Sequence, residues 1–399
     1  MTPFASNRRD ILRAGGATLF LALAGGKLRA ADSAGRPLPE GDAYAPWTLW
    51  NDPSIRNTPL ALVAAGVIAA NPHDTQPWLF AVSDDTIEIL ADTSRSLGAM
   101  DACLRELHLG LGCAIENMLT AAGVNGYAAR LETAPGSLLE LTERRQPALA
   151  ARLRLQRIAA PTPDPLHAAI PLRHTNRYAY DPARAPAAEW RDFAGALGAD
   201  GEVRLLLFDA GSPQRRLFDA AVVEATEAMI ADKTMIADSD RWFRASSREI
   251  DIHRDGPTLD AAGLSTFTLM FARLFSVSAE TSQRAWLDQT RNVQLPTAPV
   301  AGLIAVRDRY DGPSAIAAGR AWQRLHLDAT VRGMALQPLN QPIEMIDRER
   351  QTGAGSAWAQ RIAGLTGDDW QTTFAFRAGF SSTQASPSPR RKLADVVKS

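Results

Sequence analysis

Three side chains at alternate positions, Arg173, Thr175 and Arg177, are the set in this chain best suited to hold an anion. Arginines four residues apart lie on one face of a helix, and Thr175 adds a hydroxyl between them. Two guanidinium groups and a hydroxyl that converge on one point form a phosphate site, because arginine presents a planar fork of donors. The segment therefore predicts a helical phosphate clamp, and the alternative is a pair of solvated surface arginines.

A second candidate is the polar turn from Asn71 to Trp78, between a predicted helix and a predicted strand; its sequence is Asn71-Pro72-His73-Asp74-Thr75-Gln76-Pro77-Trp78. Asn71 and Gln76 offer both donors and acceptors, which can read the edge of a flat heteroaromatic ring. His73 is a candidate proton donor, or alternatively a hydrogen-bonding spacer. A turn of this kind can also be no more than a capped helix end.

A third candidate runs from Gly333 to Glu344. Gly333 is expected to end a helix, and the segment after it is punctuated by Pro338 and Pro342. Backbone N–H groups exposed at such a turn can donate to a ring nitrogen or to an anionic oxygen.

Together these stretches resemble the nitroreductase superfamily, in particular its Acg-like branch. The resemblance implies that Arg173, Thr175 and Arg177 hold the phosphate of FMN and that the turn from His73 to Trp78 lies along the isoalloxazine ring. It places the segment after Gly333 near flavin N5 and uses late basic residues in Ser388–Lys392 to finish the phosphate pocket. The cofactor-binding residues implied in this way are Arg173, Thr175, Arg177, Asn71, His73, Thr75, Gln76, Pro77, Gly333, Gln337, Pro338, Leu339, Asn340, Arg390 and Arg391.

The order of the motifs departs from that of the family. Ordinary members are homodimers of shorter chains in which the arginine motif precedes the Gln-Pro turn, whereas here the turn comes about a hundred residues before the arginines. The first half offers only Arg56 as a counterpart to the arginine pair, and no second Gln-Pro-Trp follows Arg177. A fused dimer explains this order, with the turn from the first half, the clamp from the second, and one FMN per chain.

The resemblance implies an oxidoreductase that passes electrons through flavin N5 to an unidentified acceptor, with NAD(P)H or another donor. The alternative is a protein that sequesters a catalytically idle FMN beneath a lid. Asp238 to Gly263 is the candidate lid, or alternatively an ordinary surface helix and loop. No catalytic residue is assigned.

The N-terminus carries Arg8-Arg9 ahead of an uncharged run from Ala14 to Gly26, the pattern of a twin-arginine (Tat) export signal. This run is too short for a stable membrane span, and cleavage is expected near Ala30 or Ala31. The expected location is the periplasm, with the Tat translocase as a partner during export. Since that route carries folded proteins, it suits a chain that binds its cofactor before export.

Composition excludes several classes. The formal net charge of -1 and the absence of a basic run with aromatics argue against nucleic-acid binding. Cys103 and Cys113, ten residues apart in what is predicted as one helix, are too far apart for a disulfide and are expected to be packing residues. The six histidines show no zinc spacing, so no metal is predicted. The chain has neither GxSxG nor a GxGxxG after a strand.

The predicted fold class is α+β, a nitroreductase-like three-layer fold in which two related halves surround antiparallel-rich sheets. The predicted parts are a signal peptide at 1–31, a first half at 45–150 and a second half at 165–399. Predicted helices cover 60–70, 106–122, 143–157, 189–197, 213–231 and 314–332, and predicted strands cover 78–82, 86–90, 203–208 and 302–306.

Overall fold

The structure is a computed structural model that describes residues 22–24, 27–29, 39, 41–142, 146–261, 263, 279–367 and 369–398. Within the predicted signal peptide only Ala22–Ala24 (β1) and Lys27–Arg29 (β2) are described, as an antiparallel backbone pair. The twin arginines and the expected cleavage site at Ala30 or Ala31 lie outside the described residues.

The first sheet is built from the first half of the chain, with one strand from the C-terminus. Its strand order is β11-β3-β4-β6-β5, and the pairs are antiparallel apart from the parallel pair β11–β3. The strands are Trp78–Val82 (β3), Thr86–Ala91 (β4), Tyr127–Thr133 (β5), Ala148–Arg157 (β6) and Val397–Lys398 (β11). The predicted hairpin of β3 and β4 is confirmed.

The predicted helix at 143–157 is wrong, because most of this segment is the strand β6. The basic segment was predicted as a connector helix, yet Leu153 and Leu155 are buried while the arginine between them is exposed. That alternation has the period of a strand with one face on the core and the other in water.

The second sheet lies in the second half, with the antiparallel order β7-β8-β10-β9. Its strands are Arg204–Asp209 (β7), Val300–Val306 (β8), Ala335–Pro338 (β9) and Gln371–Gly379 (β10). β8 is buried along its whole length, as expected of a central strand whose sequence is a continuous apolar run. The two strands predicted here, β7 and β8, are confirmed, and the α+β class is confirmed by both sheets.

Two long helices, Arg105–Ala122 (α3) and Gly312–Val331 (α10), cross at the centre of the molecule. Glycines allow this close approach: a Cβ on Gly112 would lie 2.3 Å from the carbonyl oxygen of Ile316, and one on Gly319 would lie 2.1 Å from that of Leu109. Each half therefore contributes one helix to the core between the sheets.

The remaining helices surround this core. They are Pro46–Leu49 (α1), Pro59–Val67 (α2), Ala188–Ala196 (α4), Pro213–Ala231 (α5), Lys233–Asp240 (α6), Ser247–His253 (α7), Ala279–Gln289 (α8), Leu295–Thr297 (α9), Gln341–Thr352 (α11), Ala357–Thr366 (α12) and Leu393–Val396 (α13). Apart from 143–157 and the helical clamp predicted around Arg173 to Arg177, the predicted helices are confirmed. The segment Arg105–Asn125 is long and apolar enough to span a membrane by composition, and 83% of its most apolar window is buried inside the fold.

Both cysteines are buried free thiols. They do not share a helix as predicted, because Cys103 precedes α3 and the left-handed residue Leu104 stands between them.

Candidate functional site

Three segments that are far apart in sequence meet at one partly enclosed pocket of about 80 Å³. They are the turn after α2, the segment before α4, and the C-terminal tail, with one further residue from the loop after α7. We call this the clamp pocket, and its lining residues are Ala70, Asn71, His73, Asp74, Arg173, His174, Thr175, Arg177, Pro257, Ser386, Ser388 and Arg390. Six of the predicted site residues therefore line one pocket, namely Asn71, His73, Arg173, Thr175, Arg177 and Arg390.

The arginine segment is not helical, and the predicted helical clamp is wrong in this respect. A 3₁₀ helix ends at Leu172, Arg173 has extended dihedrals, and residues 173–177 belong to neither a helix nor a strand. Arg173, Thr175 and Arg177 line the pocket, and so does His174 between them. The segment therefore brings both arginines to the pocket without a helix.

The turn after α2 has an unusual backbone. His73, Asp74 and Gln76 have φ of 45°, 50° and 50°, in the left-handed region that non-glycine residues rarely adopt. Each such residue costs about 1–3 kcal/mol, and clusters of them occur at ligand sites. The turn is held by Asn71, whose Oδ1 accepts the Gln76 amide at 2.8 Å, and by the Thr75 amide, which donates to the Pro72 carbonyl at 2.9 Å.

The C-terminal tail brings the third arginine into the pocket. The Arg390 amide donates to the carbonyl of Ala43, and the indole N–H of Trp47 donates to the carbonyl of Ser388 at 2.7 Å. The Arg390 guanidinium lies 4.9 Å from the ring of Trp47, a cation–π distance. After this point α13 and β11 continue the tail onto β3. Two neighbouring elements therefore fix Arg390 in place.

The pocket carries more positive than negative charge. Arg173 and Arg390 are buried, and burial lowers the pKa of each, with the charge of Arg390 adding to the effect at Arg173. The Nε atoms of both side chains are buried without hydrogen-bond partners in the described chain. Burial also lowers the pKa of Arg177. Asp74 is the one carboxylate among the lining residues. An anion in this pocket would satisfy the unpaired donors.

Asp74 partly fills that role. Its Oδ1 accepts from Arg390 and, at 3.3 Å, from Asn71, while its Oδ2 is buried without a partner. Burial raises the pKa of Asp74 to about 7, although the charge of Arg390 opposes this. At neutral pH the carboxyl is therefore close to half protonated.

His73 is a neutral group at neutral pH. Burial and the positive charge of Arg177 lower the pKa of His73 to about 4. Its Nε2 lies 3.1 Å from the hydroxyl of Ser239. This arrangement agrees with the hydrogen-bonding spacer that the sequence allowed and gives no support to a proton donor. The ring of His174 packs edge-on against Trp47 at 4.6 Å.

Of the predicted site residues, three in the turn and one in the tail do not line the clamp pocket. Gln76 is fully buried; its Oε1 accepts the Arg391 amide at 2.7 Å, and its Nε2 donates to the Arg254 carbonyl at 2.8 Å. Arg391 itself donates to backbone carbonyls of Gln76, Trp78 and Asp395. The other two turn residues are Thr75 and Pro77, which are also buried.

The predicted residues after Gly333 do not line the clamp pocket, although the Leu336 carbonyl accepts the Asn176 amide at 3.1 Å. Gly333 has a φ of 69°, as expected of a residue that ends a helix. Gln337 accepts from Arg377 at 2.7 Å, and Asn340 accepts from the Ala375 amide at 2.8 Å. Pro338 pairs within the second sheet, and Leu339 packs in its core. The side chains predicted to approach a flavin here are held by the chain itself.

The segment from Asp238 to Gly263 packs directly on the turn, and we call it the strap. The Gly256 amide donates to the Asp74 carbonyl at 3.1 Å. Asp255 accepts from Arg244 at 2.6 and 3.0 Å and also pairs with Arg95. Pro257 of the strap lines the clamp pocket. The strap is therefore attached to the same turn that carries Asn71 and His73.

Some residues of the pocket were not identified from the sequence. Asp74 belonged to the recognised turn, but its burial beside Arg390 depends on a contact between residues 316 positions apart. Ser386, which lines the pocket, and Trp47, which packs against Arg390 and His174 beside it, stand in segments with no motif, so no local signal could have identified them.

Comparison with known proteins adds the following findings. No protein-family model matches the chain. Sequences from two strains of Mycobacterium tuberculosis, both provisionally named NAD(P)H nitroreductase, are 25% identical over 344 residues, which is 84% of this chain and 90% of theirs. These relatives support the resemblance of this chain to the nitroreductase superfamily.

Solved structures give weaker matches. The FMN-dependent nitroreductase NfnB from Mycobacterium smegmatis, in complex with NADPH, matches with 15% identity and a TM-score of 0.35, covering 57% of this chain and 93% of that chain. A nitroreductase with bound FMN from Desulfitobacterium hafniense matches with 11% identity and a TM-score of 0.35, covering 60% and 99%.

Proposed function

We propose that this protein is an FMN-dependent oxidoreductase of the nitroreductase type that holds one FMN per chain. The observation that carries the proposal is the convergence of Arg173, Arg177 and Arg390 on one partly enclosed pocket. The acceptor of the electrons is not identified by any contact in the pocket.

The donors in the pocket suit a phosphoryl group. A phosphate monoester carries up to two negative charges and several strong acceptor oxygens, which match arginine forks and hydroxyls. The unpartnered Nε atoms of Arg173 and Arg390 supply such donors, and Thr175 and Ser388 line the same space. The volume of about 80 Å³ suits the phosphoryl end of a nucleotide and is far below the several hundred Å³ of a site that encloses a whole ligand of that size.

FMN would supply two-electron chemistry at its ring, and the protein would hold and orient it. Arg173, Arg177 and Arg390 would bind the phosphoryl oxygens. His73, kept neutral by burial, could offer a hydrogen bond near the pocket without adding charge. The names of the M. tuberculosis relatives suggest NAD(P)H as the electron donor.

The single-site proposal rests on a fused-dimer arrangement. The turn with Asn71 comes from the first half, and the segment with Arg173 from the second, and both line one pocket. As a counterpart to the pair Arg173 and Arg177, the first half offers only Arg56, whose Nε donates to the side-chain oxygen of Asn51 at 3.3 Å. We therefore expect one FMN per chain and no second phosphate site.

The test is the visible spectrum of the purified protein, with flavin and protein concentrations measured separately. A flavin spectrum at a ratio near one supports the proposal, and a ratio near two would contradict the single composite site. A protein that is colourless and stays so after incubation with FMN would refute the flavin assignment. Reduction of the bound flavin by NADPH or NADH, followed by reoxidation with a nitroaromatic or a quinone, would establish turnover.

The strap favours a second candidate, a protein that sequesters an idle FMN. Asp255 is held by Arg244 and Arg95, and Pro257 forms part of the pocket wall, so the strap covers the turn on one side. Under this alternative, dithionite reduces the flavin but nicotinamides do not, and quinones do not reoxidise it. Asp255→Asn removes the charge that both arginines bind and should increase turnover if the strap limits access.

We also propose export by the twin-arginine route. The Arg8-Arg9 pair and the uncharged run after it support this proposal, as does a non-covalent cofactor that requires prior folding. Fractionation of cells should find the mature protein in the periplasm, and replacement of both arginines by lysine should retain it in the cytoplasm. If the wild type and the double-lysine variant were distributed equally between periplasm and cytoplasm, export by this route would be contradicted.

A further inference from the structure

A second cavity, of about 490 Å³, lies between α11 and α12, against the start of β10 and the loop after β8. It shares no lining residue with the clamp pocket. We call it the Arg309 cavity after the arginine in its wall. Its volume is within the range of small-molecule sites, which runs from about 300 to 1,000 Å³.

Arg309 is a buried cation without a carboxylate partner. It is 7% exposed, and its Nε donates to the side-chain oxygen of Gln371 at 3.2 Å. Its Nη1 is buried without a hydrogen-bond partner, and the side chain makes no ion pair within the described ranges. Buried charges in proteins are normally paired, because an unpaired one pays a large desolvation penalty. Arg309 therefore lacks a counter-anion.

The neighbouring carboxylates are already engaged. Asp347 accepts from Arg105 at 2.8 Å and from the Tyr310 hydroxyl at 3.0 Å. Asp308 accepts the Tyr310 amide at 2.9 Å. Glu349 lines the cavity but accepts the Trp358 amide at 3.0 Å. None of these groups neutralises Arg309 by direct contact.

A second cation lines the same cavity. Arg350 is exposed, and its guanidinium lies 4.9 Å from the ring of Tyr310, so it is positioned at the wall of the cavity. The polar part of the cavity thus offers two guanidinium groups, which suit a carboxylate or sulfonate.

Much of the remaining wall is apolar, although Ser356, Gln360 and Thr366 also line it. Ile346 from α11 faces Ile362, Ala359 and Ala363 from α12, and Trp370 adds an aromatic ring. A small inorganic anion would leave this surface uncovered, whereas a planar apolar body would bury it. The wall therefore selects an organic anion.

We propose that the Arg309 cavity binds a small organic acid with a planar apolar body, of the aromatic carboxylate class. The carboxylate pairs with Arg309 and Arg350, and the ring packs between α12 and Trp370. This site is independent of the clamp pocket and of the flavin assignment.

The test compares 1-naphthoate with its neutral analogue 1-naphthamide by isothermal titration calorimetry on the purified full chain, with its cofactor bound if it retains one. We expect 1-naphthoate to bind at least tenfold more tightly than 1-naphthamide. Arg309→Gln should remove that preference. Arg348→Gln is the matched control, because Arg348 lies on the same helix as Arg350 but pairs with Asp232 at 2.8 Å outside the cavity.

Ala359→Trp provides a second test, since it fills the cavity without altering an arginine. It should abolish binding of 1-naphthoate while leaving the melting temperature and any bound flavin unchanged. Equal binding of the acid and the amide, or undiminished binding to the Ala359→Trp variant, would overturn the proposal. If Arg309→Gln does not fold, the Ala359→Trp result decides alone. Displacement of FMN by 1-naphthoate would place binding at the clamp pocket and also overturn it.

Discussion

Replacing Arg173 by glutamine is expected to separate the affinity for FMN from the stability of the fold. Arg173 is 3% exposed, and its Nη2 donates to the Ile68 carbonyl at 3.3 Å, while its Nε has no partner in the described chain. The side chain therefore contributes little to the apoprotein. A bound phosphoryl group would accept from it directly.

The structure sets the magnitude of both effects. A hydrogen bond to a charged group contributes about 1.5–3 kcal/mol, so loss of the guanidinium should weaken FMN binding by roughly 10- to 150-fold. Burial, helped by the charge of Arg390, lowers the pKa of Arg173 from its usual value to about 10. That difference corresponds to about 3 kcal/mol of unfavourable free energy in the apoprotein at neutral pH. Arg173→Gln should therefore leave the free energy of unfolding of the apoprotein unchanged or higher.

The assay is a fluorescence titration of apoprotein with FMN, paired with chemical denaturation in the absence of FMN. Arg216→Gln is the matched control, since Arg216 is exposed on α5 and donates to the Gly211 carbonyl. Affinity within twofold of the wild type would refute the clamp role of Arg173. Loss of affinity together with an equal loss of apoprotein stability would show that the residue is structural instead.

Three further predictions concern charge and packing. FMN affinity should fall as the pH rises through about 7, by up to tenfold per pH unit, because burial raises the pKa of Asp74 to about 7 and the protonated carboxyl does not repel the phosphoryl group. Asp74→Asn should flatten this pH dependence in the same titration. A flat profile of the wild type would contradict the prediction. Burial and the charge of Glu106 raise the pKa of Asp101 to about 7, so the folded state holds a proton that the unfolded state releases, and the free energy of unfolding should fall between about pH 4 and 7. Denaturation across that pH range should show that the free energy of unfolding falls less steeply with pH in Asp101→Asn than in the wild type. Equal slopes would contradict this role of Asp101. Gly112→Ala should lower the free energy of unfolding by about 1–3 kcal/mol, because the added Cβ would lie 2.3 Å from the α10 backbone. Gly364→Ala, which adds a Cβ in open space on α12, should raise the free energy of unfolding by up to about 1 kcal/mol in the same experiment.

Local patterns sufficed for most of the elements. The helix at Pro213–Ala231 was predicted with its bounds, because Ser212 caps it and Pro213 begins it. The hairpin of β3 and β4 was predicted from two apolar runs around a polar turn. In these segments the local preference and the tertiary environment agree.

The errors arose where the environment overrides the local preference. β6 belongs to the basic segment that was predicted as a connector helix, but one of its faces is covered by the core. The segment from Arg173 to Arg177 is not helical, and Arg173 contacts the Ile68 carbonyl just after α2, a neighbour that the local sequence does not reveal. A spacing of four residues is compatible with one face of a helix and with one side of a strand, so spacing alone could not distinguish them.

The composition of the clamp pocket was predicted better than its geometry. Six predicted residues line it, yet the backbone strain at His73 and Asp74 has no signature in the sequence, since neither position is glycine. The resemblance identified the arginines, and the structure brings them to the pocket from a segment that is not helical.

The clamp pocket can form only when the whole chain has folded. Asp74 and Arg390 are 316 residues apart, and the segment with Arg173 must lie between the turn and the tail before all three segments meet. The tail reaches this position by pairing β11 with β3, so the last strand of the chain completes the sheet of the first half. If this pocket holds FMN, binding by all three arginines requires the tail in place, so folding comes before cofactor binding at the complete site. That order is the one that export of a folded holoprotein would require.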